Sequence, residues 1–443
     1  MRYQKRMTEK DDMNEGQKMY DICSEIFPLN RSITGNAVRE TFKILQSHIP
    51  DIKIEMHEIP SGTKVCDWTV PDEWNCEEAY LEGPDGERVV DMKDSNLHLL
   101  GYSLPTDITL PLEEMKEHIY YLKDQPKVFP YVTSYYSPRW GFSMTYEQFE
   151  SLKPGDYHAV IRSTLEPGSM TYGEIVIPGE TEDEIFFSSY TCHPSMANNE
   201  CSGPSLIISL ARYIRDMPKR RYTYRLLLAP ETIGAIAYID GHLPHMKEHV
   251  KAGFNLTCCG DDRTYSIIHS RYADTYADRI LTNVLSQSGR SFDEYPYIKR
   301  GSDERQYQAP GVDIPLVCFC RSKYHIYPEY HTSADNLDLI SPGGLQGSFD
   351  VMTRCIELIE HNRYYRTTTL CEPQLGKRGL VPTMSSKETY QETLALKDLI
   401  AYADGKNDLI GISEIIEQPV DLLIPLTKKL LECGLFETVE DRA

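Results

Sequence analysis

Among the 12 cysteines of this 443-residue sequence no two stand in a C-x-x-C pair. A thiolate zinc site of the usual spacing is thereby excluded. A secretory context is missing as well: the opening residues, MRYQKRMTEKDDMNEG, are polar and hold no apolar core of the kind a signal peptide needs. The expectation is a reducing, cytoplasmic setting. The cysteines then act mostly as small apolar groups, as in the runs around Cys258, Cys259, Cys318 and Cys320. The N-terminal stretch reads as a flexible head in which Met13 is an alternative start. No window approaches the roughly 18 unbroken apolar residues of a membrane span. Positive charge is in short supply: 46 Lys and Arg face 67 Asp and Glu, a net charge of −21. That argues against nucleic acid or an anionic membrane as partner, because both need clustered cations. Tryptophan is scarce, three residues in all, and there is no repeat or low-complexity tract.

What is present is an ordinary globular composition, 40% hydrophobic and 26% charged, over a length that suits two or three domains. NAVRETFKILQSHI, 36–49, spaces its apolar residues as a helix does, and IKIEMHEI, ending at 59, alternates like a strand. From 61 to 155 the chain turns rich in Pro, Tyr and Gly and carries all three tryptophans, Trp68, Trp74 and Trp140. Turn signals such as GPDGE recur, so this stretch reads as a small β-rich domain inserted into a larger one. YHAVIRSTL, GEIVIPG and EIFFSSYTCH then read as strands. Beyond them, helical patterns (GPSLIISLARYI, TYADRILTNVLSQS) alternate with continuous apolar strands (YRLLLAP, AGFNLTCCG, IPLVCFCRS). That alternation predicts an α/β fold with a mostly parallel, doubly wound sheet. The expected division is 1–60 with 156–372, an insert at 61–155, and a C-terminal domain at 375–443.

The C-terminal stretch shows three short helical patterns running into KKLLECGLFE, which resembles a winged helix-turn-helix. From Arg378 onward it holds seven Lys or Arg against twelve Asp or Glu. A DNA reader shows the opposite balance, so the module is expected to bind protein or to pack.

Ligands in open α/β sheets sit beyond the C-terminal ends of strands. Four polar clusters occupy such places in order: SSYTCHPSMANNECSGP with His193, LLLAPETIGAIAY with Glu231, NLTCCGDDR with Asp261 and Asp262, and EYHTSADNLDLIS with His331. Two His and several carboxylates at strand ends suit one or two cations, zinc first. Taken singly each residue is a weak signal, since a lone Glu after a strand is often a helix cap.

The order of these clusters resembles that of the zinc-dependent aminopeptidases, a family with glutamate carboxypeptidase and glutaminyl cyclase relatives. In that family a His follows a strand, and a D-N-x-S-G motif supplies a bridging Asp. A Glu-Glu pair gives base and ligand, an Asp stands in N-L-D-M, and a final His in H-T-x-x-D. Here His193, Asn199 to Gly203, Glu231, Asn255 to Thr257, and His331 to Asp335 take those places, and Ser302-Asp303 matches a further segment. The departures are Ser195, Asn199, Thr232 and Thr257 where the family has carboxylates. The runs RSITG, SPRWGF, CHPSMAN, PETIG and CCGDD further resemble a bacterial aminopeptidase-like group with an inserted domain and a C-terminal winged helix.

Set against that family's two-metal pattern, the departures imply one zinc, held by His193, His331 and a carboxylate, with Glu231 as general base on the attacking water. Asp261, four residues past Thr257 and so on the same face if the strand continues, is the first candidate third ligand. Asp262, Glu200 and Asn199 are the others. Arg31, Arg139 and Arg305, each in a turn-like polar run, are candidates for holding a substrate anion. The leading expectation is a hydrolase of peptide or other amide bonds acting on a peptide or small molecule. A cyclase or deacylase on one zinc, and a catalytically impaired module that binds a ligand and signals to a partner, are the alternatives. A homo-oligomer or a protein partner would form through the insert or the winged helix.

Overall fold

The computed structural model describes residues 14–380 and 387–439. The head with Met13 therefore lies outside the described residues. The chain forms two compact units, one running to Asp278 and taking up Ser291–Asp350, the other made of Arg279–Arg290 and the chain from Val351. No helix among the described residues is long and apolar enough to cross a membrane.

The first unit is built on an eight-stranded sheet. Its strands are β1 (Glu55–Pro60), β2 (Ser169–Ile177), β3 (Glu184–Tyr190), β4 (Thr223–Ala229), β5 (Val250–Leu256), β6 (Ser266–Ile268), β7 (Asp293–Tyr295) and β8 (Leu316–Cys320). Their spatial order is β1-β2-β4-β3-β5-β8-β6-β7. The central four, β4, β3, β5 and β8, are parallel, with Phe187 opposite Leu226 and Phe254, and Phe254 opposite Val317. Every residue of β3 and of β8 is buried. Strands covered on both faces have no solvent side to mark with polar residues, hence their unbroken apolar runs. Outside these four the pairing is antiparallel at β1 with β2, β2 with β4, and β6 with β8, while the edge pair of β6 with β7 is parallel.

Helices cover the sheet. In α1 (Glu15–Ile26) the buried residues Met19, Ile22, Cys23 and Ile26 recur at helical spacing. The same holds for Val38, Thr41, Phe42 and Leu45 in α2 (Asn36–Ser47). The next two helices, α3 (Ser202–Asp216) and α4 (Ile233–His249), follow β3 and β4 and so start at the C-terminal edge of the parallel strands. Gly35, just before α2, has φ 105°, and a Cβ there would come within 2.3 Å of the Trp74 carbonyl oxygen. Only glycine combines that φ with that approach, which explains the glycine of RSITG.

A second, four-stranded antiparallel sheet joins Arg88–Asp91, Glu73–Glu82, Asp156–Glu166 and Thr106–Pro111 in that order. The run YHAVIRSTL, expected to open the large sheet, pairs here instead, with Tyr80 opposite Val160. Trp74 is the buried anchor of this sheet's core, 2% exposed, its Nε1–H donating to the Ser103 carbonyl at 3.0 Å. Trp68, by contrast, is 38% exposed.

The second unit has a three-stranded antiparallel sheet in the order Asp404–Asp408, Tyr364–Thr367, Phe436–Val439. Its helices are Lys387–Tyr402, Leu409–Ile416 and Val420–Glu432. Leu399, Leu409, Leu423 and Leu430 meet in its core. Asp408 caps the second helix from the Gly411 amide at 2.8 Å and takes both guanidinium nitrogens of Arg279 at 2.8 and 2.9 Å. The strand at 364–367, which supplies the middle of this sheet, precedes the helical patterns by which the segment was recognised.

Candidate functional site

Parallel pairing of β4, β3, β5 and β8 brings the segments after their C-terminal ends to one edge of the sheet. Four residues there take positive φ without being glycine: Ser195 (45°), Thr232 (67°), Cys258 (52°) and His331 (54°). Each such backbone is worth roughly 1–3 kcal/mol of strain, which the surrounding contacts must hold.

His193 leaves β3 three residues after its last strand residue. Its ring is held by Glu200, whose Oε2 accepts Nδ1–H at 2.8 Å, the Cys192 amide at 2.7 Å, and the His193 amide itself. Neither Glu200 nor Arg31 exposes its side chain, and the two lie 3.4 Å apart. A buried carboxylate that orients the far nitrogen of an imidazole leaves the near one, Nε2, free for chemistry. Here Nε2 stands 3.6 Å from Glu231 Oε2. Burial pulls the His193 pKa down, but the Glu200 hydrogen bond and the charges of Glu200 and Glu231 outweigh it and raise it.

Glu231 follows β4 in PETIG. The next residue, Thr232, at φ 67°, ψ −76°, forms a left-handed γ-turn closed by Ile233 N–H to the Glu231 carbonyl at 2.8 Å. Asp303 secures the turn by accepting the Thr232 amide at 2.7 Å, and Arg305 donates to the Thr232 hydroxyl at 2.5 Å. Burial raises the Glu231 pKa, against the pull of His193 and Arg305. Asp303 is driven well above the carboxylate range by burial and by the charge of Glu231.

His331 approaches from the loop after β8. Its Nε2 lies 2.9 Å from Asn199 Oδ1, and Asn199 Nδ2 donates to the Tyr190 hydroxyl at 2.8 Å, which in turn meets Thr257 Oγ1. Burial, then the charges of His193 and His325, hold the His331 pKa well below the ordinary imidazole value. The two imidazole rings are 5.3 Å apart between centroids. Tyr131 packs against both, at 5.1 and 5.2 Å, and its amide donates to the His331 carbonyl at 2.8 Å.

His193, Glu231 and His331 thus line one cavity of ≈ 380 Å³, together with Arg305 and aromatic residues of the 61–155 segment. The other predicted residues are elsewhere or otherwise engaged. Asp261 is buried, and its two oxygens accept from Asn198 Nδ2, Ser322 N, Ser322 Oγ and Arg263 N at 2.8–3.0 Å. It braces the loop instead of facing the cavity. The same-face argument from Thr257 fails because β5 ends at Leu256 and Cys258 turns the chain into the left-handed region. Asp262 caps Ser341 at 2.5 Å. Arg31 is a buried strut, its Nε and Nη2 donating to the His193 carbonyl at 3.1 and 2.9 Å, and it is not among the residues lining the cavity. Arg139 is exposed and bonds the Thr133 carbonyl at 3.1 Å. Sequence reasoning missed Tyr131 as part of the site, and it matched Asp303 to a family segment without giving it a role. The aromatic richness of 61–155 was the available signal for Tyr131.

Among the described residues, Cys192, His193 and Glu200 form the group of three side chains close enough to share an ion. Glu200 Oε2 is already occupied by three hydrogens, so this group serves His193 better than it would serve a metal. Asp261→Asn is expected to destabilise the fold by about 1–3 kcal/mol, since an amide nitrogen would face two of the four donors. The metal content of protein expressed with ample zinc should be the same in that variant as in the unaltered chain. Loss of zinc with unaltered unfolding in urea would reinstate Asp261 as a ligand.

The family described as domain of unknown function (DUF4910) matches residues 20–362, and a winged helix-turn-helix family matches 363–438. A protein of Clostridium acetobutylicum is 42% identical over 400 residues, 90% of this chain and 91% of that protein. Its name refers to polysaccharide biosynthesis and to an aminopeptidase-like domain. The crystal structure of a candidate peptidase from C. acetobutylicum matches with a TM-score of 0.90 at 39% identity, over 96% of each chain. The zinc aminopeptidase of Bacillus subtilis matches with a TM-score of 0.58 at 14% identity, over 79% of this chain and 96% of that one. At that identity the likeness speaks to the fold.

Proposed function

The chain belongs to the DUF4910 family, an aminopeptidase-like domain followed by a winged helix, and from that premise we propose that it hydrolyses peptide or other amide bonds at the cavity between His193, Glu231 and His331. The carrying observation is convergence. Three side chains from separate strand ends face one space, and each is held in place: His193 by Glu200 at Nδ1, Glu231 by the strained turn at Thr232, and His331 by its stack on the Tyr330 ring at 3.9 Å.

The donor set fits one cation and not two. Where the family resemblance expects carboxylates, this chain has Asn199, Thr232 and Thr257, and Asn199 and Thr257 are joined through Tyr190 by neutral hydrogen bonds. His193 Nε2 and His331 Nε2 would be the ligand atoms, His331 exchanging its hydrogen bond to Asn199 Oδ1 for the ion. The two imidazoles, 5.3 Å apart between centroids, are the residues that would hold it. The depressed His331 pKa keeps that ring neutral, as a ligand must be. Zinc bound there would supply Lewis-acid polarisation of the scissile carbonyl.

The chain's own residues do the rest. Glu231, with 20% of its side chain exposed, takes a proton from the attacking water and passes it to the leaving nitrogen. Its raised pKa brings its proton affinity nearer to neutrality, which favours both transfers. Tyr131 shields both imidazoles and excludes water from that side. Arg305 offers a cation for a substrate anion. The name of the C. acetobutylicum relative, referring to polysaccharide biosynthesis, leaves room for an amide on a saccharide as well as on a peptide. The acidic balance of the winged-helix segment favours a protein partner over DNA.

Metal analysis of protein expressed with ample zinc tests the reading. About one zinc per chain is expected, falling to about a tenth or less in His193→Ala and in His331→Ala. Two zincs per chain, or variants that keep the metal, would contradict it. The neutral run His331–Asn199–Tyr190–Thr257 favours a second reading, a binding module without turnover. Zinc-free protein inert toward amides would select it.

A further inference from the structure

We infer that the ligand of this cavity is an acidic N-acylated saccharide, its pyranose ring stacked on Trp68 and Tyr136 and its carboxylate on Arg305. The inference rests on the reading of this cavity as the active centre and adds the class of substrate.

The cavity mouth carries two large aromatic side chains that the fold leaves open. Trp68 is 38% and Tyr136 51% exposed, and both line the cavity. Their rings are 5.5 Å apart at 66°, forming an open corner. Tyr136 is pinned in place by its hydroxyl, which donates to the Thr69 carbonyl at 3.1 Å. Trp68 sits in a two-residue strand, Trp68–Thr69, paired with Lys64–Val65. An indole at the tip of so short a hairpin contributes little to the core. An aromatic pair left exposed at a cavity mouth marks a binding surface.

Deeper in, the walls offer neutral polar groups. The Tyr131 and Tyr135 hydroxyls are 2.9 Å apart, and Thr133 and Gln306 lie alongside. Arg305 is the cation among the lining residues. One of its terminal nitrogens is engaged by Thr232, while its buried Nε has no hydrogen-bond partner among the described residues. An unpaired buried guanidinium N–H is costly unless a ligand takes it. A planar guanidinium fork with free donors suits a carboxylate.

These features select between two occupants. An aromatic amino-acid side chain gains most from a dry, closed slot, whereas this corner is open and bordered by hydroxyl and amide groups. A pyranose presents C–H groups to an aromatic face and hydroxyls around its rim, which matches both parts. The amide comes from the reaction assigned to Glu231, and the acid from Arg305.

The test is saturation-transfer NMR titration of the full chain with three probes. N-acetylmuramic acid carries a pyranose, an acetamide and a carboxylate. N-acetylglucosamine lacks the acid, and N-acetylphenylalanine replaces the pyranose. N-acetylmuramic acid should bind about tenfold more tightly than N-acetylglucosamine, the scale of one charged hydrogen bond. Arg305→Gln should remove that difference, and Trp68→Ala and Tyr136→Ala should each weaken both sugars by about fivefold or more. Both aromatic rings are exposed, so their removal leaves the fold intact, which circular dichroism checks. Tighter binding of N-acetylphenylalanine, no saccharide binding at all, or sugar affinities untouched by Trp68→Ala and Tyr136→Ala would each overturn the inference. Peptide amides cleaved without saccharide binding overturn it and spare the hydrolase reading. Saccharide binding without hydrolysis does the reverse.

Discussion

Glu231→Gln is expected to cut amide turnover by about 10²–10⁴-fold, the usual span for losing a general base, while the protein keeps its fold and its metal. Glutamine has the shape of glutamate and cannot take a proton, so the γ-turn at Thr232, closed by backbone atoms and by Asp303, is unaffected. Stability should hold or rise. The Glu231 pKa is raised in the folded state, so its charge at neutral pH opposes folding, and the neutral amide removes that opposition. After burial, its charge also raises the Asp303 pKa, and that contribution goes with it. The measurement is kcat on a panel of aminoacyl and N-acyl 4-nitroanilides, alongside zinc content and urea unfolding. Undiminished turnover with zinc intact would remove Glu231 from the chemistry.

Arg31→Met should destabilise the protein by about 3–5 kcal/mol, the loss associated with stranding one partner of a buried ion pair. Arg31 and Glu200 expose none of their side chains, and the guanidinium also holds the His193 carbonyl through two nitrogens and Cys201 Sγ at 3.3 Å. Removing it leaves the buried Glu200 charge without its cation and loosens the backbone of His193. The double variant Arg31→Met/Glu200→Met should be less destabilised than the sum of the two singles, because the methionines strand no charge. A substrate clamp would behave differently, with KM raised and stability unchanged. A loss below about 1 kcal/mol in urea would rule out the strut role.

Periodicity made much of the large fold legible. The apolar runs of β3, β4, β5 and β8 are long and bounded by turns, and strands of that kind need cover on both faces. The antiparallel pairs were not legible, because pairing direction depends on where the chain crosses over. The run at 156–166 likewise read as a strand without showing its partners, and it joined the small sheet through Glu73–Glu82.

The site divides the same way. Sequence order was enough to single out His193, Glu231 and His331, since each follows an apolar strand and parallel strands end at one edge. It could not say what each polar neighbour does, because that depends on loop backbone. Cys258 at φ 52° sends Asp261 into a ring of four donors, and Ser195 at φ 45° lies in the bend that lets Glu200 reach back to His193. Arg31, Arg139 and Arg305 look alike in sequence, each a cation in a turn. One is a strut, one is on the surface, and one lines the cavity. Local pattern determined which residues stand at strand ends, because burial has the period of the strand or helix that carries it. Tertiary structure alone decided which side chains are bonded inward and which are left facing the cavity, because hydrogen-bond partners come from segments more than a hundred residues apart, as His331 and Asn199 do.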